Sequence, residues 1–132
     1  MPIAVKVQGE IVRIVWEGSP TDSELERFFE DLTRAVAHRS HYALLYDARQ
    51  AAAPSTRQRH LLADLSGMMG PALRDRCAGA AFVIDSWIVR AALTGILWMR
   101  PMEVPHVVTA SVTDAEAWCH HRLAPAAKSV RQ

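Results

Sequence analysis

Apolar residues recur at two different spacings along the chain, and the changes between them predict where strands and helices lie. Residues 3–7 alternate apolar with polar side chains, and after Gln8-Gly9 a second apolar run covers residues 11–16. Two short runs around a glycine-containing turn predict a β-hairpin. From Thr21 onward the apolar residues recur every three or four positions, and Glu24 completes a capping box with Thr21. A hairpin followed by an amphipathic helix is therefore expected.

A short apolar run at residues 42–46, closed by Asp47, predicts a central strand. A loop follows, and either Ser55 or Thr56 can cap the next helix through its hydroxyl oxygen. That helix should break or kink at Gly70-Pro71, because proline cannot continue a regular helix. This part of the chain therefore predicts a strand followed by a second helix.

The most apolar part of the chain predicts a strand, a helix and a second strand. Residues 80–84 are continuously apolar and end in Asp85-Ser86, which suits a helix N-cap. Residues 87–99 are then almost wholly apolar until Arg100-Pro101, where proline disfavours a helical conformation in the residue before it. Residues 106–110 form a second extended run. This order predicts a βαβ unit whose two strands are parallel.

The complete predicted order is β-β-α-β-α-β-α-β-α, with Thr113 and Glu116 forming a capping box for the last helix. Such alternation predicts an α/β fold with a mixed, mostly parallel five-stranded sheet packed with helices. At 132 residues the chain has the length of one domain. We expect that domain to cover residues 3–123 and residues 124–132 to form a frayed tail.

The amino-acid composition argues against some classes of partner and cellular location. The 15 lysines and arginines nearly balance 14 acidic residues, which argues against nucleic acid or an anionic membrane as the partner. The longest apolar stretch, residues 87–99, is shorter than the ~20 residues of a membrane span, and the amino terminus lacks a signal-peptide pattern. Cys77 and Cys119 lack C-x-x-C spacing, which is typical of packed, reduced thiols. We therefore expect a cytoplasmic protein without a transmembrane segment.

Several segments together resemble one protein family. They are the hairpin, the acidic capped helix, YALLYDAR, AFVIDSWIVRAALT and VVTASVTDAEAW. Over nearly the whole of residues 3–123, the chain resembles the SpoIIAA-like proteins, a divergent branch of the STAS superfamily also described as STAS/SEC14. The resemblance implies the STAS/SpoIIAA-like fold and a regulatory or binding module that is not an enzyme and that can dimerise.

The resemblance also implies a position for a phosphorylation switch. Anti-sigma-factor antagonists carry a phosphorylatable serine at a helix start after the central strand, and Ser55 and Thr56 are the nearest counterparts here. The usual D-S-S-G context is replaced by Ala-Ala-Ala-Pro at residues 51–54. The competing interpretation is that these hydroxyl groups only cap the helix.

A polar site is predicted at the carboxyl edge of the sheet, where α/β folds bind ligands. Asp47 and Asp85 each close a predicted parallel strand, and Arg49, Ser86 and Arg90 fall at the same edge. An enzyme built there would show one of the two carboxylates exposed in a cleft with a raised pKa. The chain has no glycine-rich phosphate loop, nucleophile elbow or paired histidine ligands, so we predict no catalytic residue, metal or cofactor.

The apolar helix has more hydrophobic surface than one sheet contact can bury. Val89, Leu93 and Ile96 would cover the side facing the sheet, and the other predicted contact residues project elsewhere: Trp87, Ala91, Trp98 and Met99. Three interpretations remain open for them: burial against helices of the same domain, a homodimer interface, or an apolar pocket beneath Trp98 and Met102.

Two functional hypotheses follow from these patterns. The first is a non-enzymatic STAS-like regulatory module that self-associates and binds a protein partner, with the third helix contributing to the contact. The second is a module that binds a lipid-like or other apolar small molecule between that helix and residues 102–105.

Overall fold

The computed structural model describes residues 3–68 and 75–124, within which strands and helices follow the predicted order. The elements are β1 (Ile3–Gln8), β2 (Ile11–Gly18), α1 (Asp22–Val36), β3 (Tyr42–Ala51), α2 (Thr56–Gly67), β4 (Cys77–Val83), α3 (Trp87–Met99), β5 (His106–Thr109) and α4 (Val112–Leu123). The expected α/β architecture is confirmed. The predicted break at Gly70-Pro71 and the predicted tail beyond residue 124 lie outside the described residues.

The five strands form one mixed sheet in the spatial order β1-β2-β3-β4-β5. The hairpin pair β1 and β2 is antiparallel, and its turn uses Gly9, whose φ of 64° favours glycine. Each later pair of neighbouring strands is parallel, with a helix between its members along the chain. The prediction of a mostly parallel sheet with β3 at its centre is therefore confirmed.

The two faces of the sheet bury different sets of side chains, because successive residues of a strand point to opposite faces. On one face, Leu45 and Ala81 pack with Ala115 and Cys119 of α4. The opposite face builds the larger core, in which strand residues such as Leu44 pack with residues of α1, α2 and α3. Three helices therefore cover one face, and α4 covers the other.

Serine and threonine side chains begin the helices at or near the predicted positions. Thr21 forms the expected capping box with Glu24, and Ser86 caps α3 by accepting a hydrogen bond from the backbone of Val89. The prediction for α4 is wrong by two residues. Ser111, not Thr113, is the N-cap, and its hydroxyl accepts a hydrogen bond from the backbone N–H of Asp114. Strand β5 ends at Thr109, two residues before this cap.

The prediction that Asp47 closes the central strand is also wrong. Strand β3 continues to Ala51 because its backbone keeps pairing with β2, where Gly18 lies opposite Ala51. An irregularity in this pairing falls between Val15 and Glu17 of β2. Asp47 therefore lies inside the strand, with 6% of its surface exposed.

Candidate functional site

An apolar cavity of about 160 Å³ lies between α3 and the carboxyl-end half of the sheet. Its wall combines aromatic residues with aliphatic residues of α3 and the segment after it: Trp16, Phe28, Tyr46, Phe82, Val89, Leu93, Ile96 and Met102. We call this space the aromatic cavity. It occupies the edge of the sheet at which open α/β folds bind ligands.

Ring packing gives the aromatic cavity a defined shape. Tyr46 stacks on Phe82 with ring centroids 4.8 Å apart, and Trp16 meets Phe28 edge-on at 5.9 Å. The space is partly open to solvent, so a bound apolar molecule would remove its apolar lining from water. An apolar cavity of about 150 Å³ is large enough to bind benzene. The volume of the aromatic cavity is similar to that value.

One residue of the cavity lining, Trp16, has a buried polar atom without a hydrogen-bond partner among the described residues. The indole Nε1 of Trp16 is buried, and no hydrogen-bond acceptor reaches it within the described parts of the chain. A buried donor without a partner costs about 1–3 kcal/mol, which makes such groups rare in native proteins. Tyr46 adds a second polar group to the lining, and burial raises the pKa of its phenol. The lining of the cavity is thus mainly apolar and includes a few polar groups.

Two charged residues, Arg100 and Glu103, also line the cavity. The Arg100 guanidinium lies against Gly67 at the end of α2, so a Cβ placed on that glycine would be 2.6 Å from Arg100 Cζ. Among residues 3–68 and 75–124, no side-chain hydrogen bond or ion pair holds this guanidinium. Glu103, by contrast, already has an interaction partner. Arg100 therefore presents an exposed positive charge beside an apolar space.

The predicted polar edge is built around a buried carboxylate. Asp47 accepts hydrogen bonds from Arg49 Nε at 2.9 Å and Nη2 at 2.8 Å, and Arg13 approaches it at 3.4 Å. Glu116 of α4 contacts Arg13 at 3.4 Å, which completes a network on the face covered by α4. The hydrogen bonds from Arg49 hold the pKa of Asp47 below its ordinary value despite burial. This is opposite to the raised pKa expected of a catalytic carboxylate.

The other residues of the predicted polar edge are only partly brought together. Asp85 lies close enough to contribute, after Asp47, to the raised pKa of Arg49. Ser86 instead serves as the cap of α3. Arg90 lines a second pocket, of about 280 Å³, together with Trp98. The arrangement is an ion-pair network rather than one five-residue site.

The candidate phosphorylation residues lie at the start of α2. Ser55 is the N-cap, and its hydroxyl accepts a hydrogen bond from the backbone N–H of Gln58. Thr56 is the first residue of the helix, and both side chains are exposed. The capping function accounts for Ser55, and phosphorylation at either position stays a prediction.

The outer face of α3 is exposed in the protomer. Trp87 is 77% exposed and Trp98 is 82% exposed, so neither is buried against helices of the same chain. Ala91 and Met99 are exposed as well. Of the five residues predicted for an interface or an apolar pocket, Met102 alone lines the aromatic cavity. The aromatic cavity therefore lies on the inner side of α3, whereas Trp98 lines the second pocket together with Leu97 and His106.

Other potentially reactive side chains in the described residues are either buried or separated from one another. Cys77 and Cys119 are free and buried, and burial raises the pKa of each thiol to about 11. Within residues 3–68 and 75–124, no three histidine, cysteine or acidic side chains converge in a way that could hold a metal ion. No helix in these ranges is long and apolar enough to span a bilayer.

Sequence patterns missed the residues that form most of the aromatic cavity. Trp16, Tyr46 and Phe82 were assigned to the core by their position in apolar strands, and Phe28 by its helical spacing. A partial signal existed, because Trp16 and Phe82 fall near the carboxyl ends of β2 and β4, the strands on either side of β3. Which large side chains leave a gap between them depends on helix placement, which strand and helix periodicity does not specify.

No protein-family model and no curated protein matches this chain. Its fold is nevertheless similar to solved structures. One is an uncharacterised protein of the DUF3478 family with a SpoIIAA-like fold from Shewanella loihica PV-4, with a TM-score of 0.61 and 16% identity. The match covers 89% of this chain and 91% of that one.

A second similar structure is an anti-sigma factor antagonist from Mycobacterium paratuberculosis, with a TM-score of 0.57 and 16% identity over 89% of this chain and 92% of that one. Together these likenesses show that the chain has a SpoIIAA-like fold, as the sequence resemblance implied.

Proposed function

We propose that this chain, with its SpoIIAA-like fold, is a non-enzymatic cytoplasmic regulatory module that acts by binding proteins and associates with a second copy of itself through the outer face of α3. The observation that carries the proposal is the exposure of Trp87 and Trp98, at 77% and 82%, on one helix of an isolated protomer. The similarity in fold to an anti-sigma factor antagonist supports a regulatory function. The lowered pKa of the buried Asp47 argues against acid–base catalysis at the polar edge.

The exposed residues of α3 form a continuous stripe. Trp87 and Trp98 are eleven residues apart, which is about three helical turns, so their side chains leave the same side of the helix about 16 Å from each other. Ala91 and Thr94 lie between them on that side and are also exposed. The small side chains let another helix approach closely between the two indoles.

The exposed area is large enough to contribute substantially to an interface. At roughly 150–250 Å² each, the two tryptophans could supply up to about half of the ~800 Å² that one partner buries in a standard interface. Ile88 and Met99 are exposed on the same helix and extend the apolar surface. Arg90 is the sole charged residue within α3, so little electrostatic repulsion opposes the pairing of two identical copies.

Sedimentation velocity from low to high micromolar concentration tests self-association. We expect the wild-type protein to shift toward a dimer as concentration rises, and Trp98→Glu to remain monomeric because a carboxylate would be buried in the contact. Val7→Glu is the matched control, since Val7 is a partly exposed apolar residue of β1, at the sheet edge opposite β5. A wild-type monomer at every concentration, with a folded and unchanged Trp98→Glu variant, would refute self-association.

A second candidate function is the binding of a lipid-like or other apolar small molecule, and the aromatic cavity specifically favours it. The space lies between α3 and the sheet, and Met102 is part of its lining. A ligand there would remove the apolar lining from water.

Native mass spectrometry of freshly purified protein tests this second function. We expect a co-purified small molecule in the wild-type protein and its loss in Ala48→Leu, because Ala48 lines the cavity and a larger side chain would occupy the space. The Val7→Glu variant should keep the ligand. Wild-type protein that carries no ligand and binds none of a panel of added apolar compounds would contradict the function.

A further inference from the structure

We propose that the aromatic cavity takes a small organic acid, whose apolar body fills the space and whose carboxylate binds Arg100. This inference rests on the second proposed function and specifies the chemical class of its ligand. The structural basis is the juxtaposition of an apolar, aromatic-lined space with an arginine at its boundary that has no side-chain partner among the described residues.

The position of Arg100 favours an anion over a neutral ligand. Its guanidinium is spread against Gly67, where a Cβ would approach Cζ within 2.6 Å, so the group lies across the end of α2 beside the cavity. Guanidinium presents a planar set of donors that matches a carboxylate in a bidentate arrangement. Glu103, the other charged residue of the lining, is already engaged and does not neutralise Arg100 through any described ion pair.

The volume and lining set the size of the apolar body. A space of about 160 Å³ is comparable to cavities that hold a single benzene ring. The stacked Tyr46–Phe82 pair and the Trp16–Phe28 pair offer ring faces and edges to an aryl group or a short alkyl chain.

Isothermal titration calorimetry with matched acids and amides tests the inference. The aryl pair is 3-phenylpropanoate and 3-phenylpropanamide, and the alkyl pair is octanoate and octanamide, so the two pairs also distinguish aromatic from fatty acids. We expect at least one acid to bind about tenfold more tightly than its amide, which is the effect of one charge-assisted contact near the surface. Added salt should weaken binding of the acid and leave binding of the amide unchanged.

Substitutions of single arginines test which side chain binds the carboxylate of the acid. We expect Arg100→Gln to lower the affinity for the acid about tenfold, to the level of the amide, without changing the affinity for the amide. Arg90→Gln is the matched control, because Arg90 is an exposed arginine of α3 that does not line the aromatic cavity. Circular dichroism of both variants checks that the fold is intact.

The outcomes separate this inference from the function on which it rests. Equal binding of acids and amides, or an unchanged affinity of Arg100→Gln for the acid, would overturn the carboxylate assignment while the cavity remains a ligand site. If none of the four compounds binds and the purified protein carries no ligand, both the inference and the ligand-binding function fail.

Discussion

At the scale of single residues, Asp47 makes a specific contribution to stability. It is 6% exposed and accepts two short hydrogen bonds from Arg49, so replacing its carboxylate by an amide removes a charge-assisted contact inside the sheet. We expect Asp47→Asn to lower the free energy of unfolding by about 1–3 kcal/mol at neutral pH, measured by urea denaturation. Asp64→Asn is the control, because Asp64 is exposed and has no described ion pair, and it should change stability by less than about 0.5 kcal/mol.

The same carboxylate predicts the direction of a pH effect. Arg49 lowers the pKa of Asp47 in the folded state, whereas the unfolded chain has the ordinary value of 3.8. The resulting stabilisation is therefore fully present above that ordinary value and is lost as pH falls through the lower, folded value. We expect acid unfolding of Asp47→Asn to depend less steeply on pH than that of the wild-type protein below about pH 4. Parallel curves would contradict the assignment.

Single-residue predictions from the sequence succeeded where the cause is local. Thr21 and Ser86 cap helices as expected, because a hydroxyl and a backbone N–H three residues away are all that the contact requires. The unpaired Trp16 Nε1 had no such signal. Whether an indole finds an acceptor depends on atoms that other strands and helices bring to it, and these lie far away in the chain.

At the scale of elements, two sequence patterns could each provide the N-cap of α4. Ser111 with Asp114 and Thr113 with Glu116 have the same spacing, and the structure uses the first pair. We expect Ser111→Ala to lower the melting temperature, because losing an N-cap costs about 1 kcal/mol. Thr113→Ala should be neutral or slightly stabilising, since Thr113 is exposed within the first turn and alanine has the higher helix propensity. The reverse ranking of the two variants would show that Thr113 is the cap.

Strand β3 shows why the length of an element was predicted less well than its existence. Residues 42–46 form an apolar run that marks a buried strand, but residues 48–51 carry no hydrophobic alternation. Their extended conformation comes from backbone pairing with β2, up to Gly18 opposite Ala51. Backbone hydrogen bonds leave no mark in side-chain periodicity, so the strand ends five residues after its apolar run.

At the scale of the whole molecule, element order determined the fold class. A hairpin followed by regular strand–helix alternation leaves a mostly parallel sheet as the simplest solution, and the structure has that sheet. The aromatic cavity could not be derived in the same way. Its existence depends on how far α3 stands from Tyr46 and Phe82, and only the assembled chain specifies that distance.

Self-association predicts a dependence of thermal stability on protein concentration. A partner that binds the folded state but not the unfolded chain raises the melting temperature by mass action. We expect the melting temperature of the wild-type protein to rise between low and high micromolar concentration, measured by calorimetry, and that of Trp98→Glu to stay constant. A wild-type melting temperature that is independent of concentration would contradict association through α3.

Helix α3 takes part in both proposed contacts, and this has a thermodynamic consequence. Its inner residues Leu93 and Ile96 line the cavity, while Trp87 and Trp98 leave its outer side. If a bound acid changes the dimerisation constant by some factor, dimerisation must change the affinity for that acid by the same factor. The Kd of the dimer, measured with and without saturating acid, would give this coupling free energy directly. The coupling would pass through the single helix α3, which contacts both the acid and the partner.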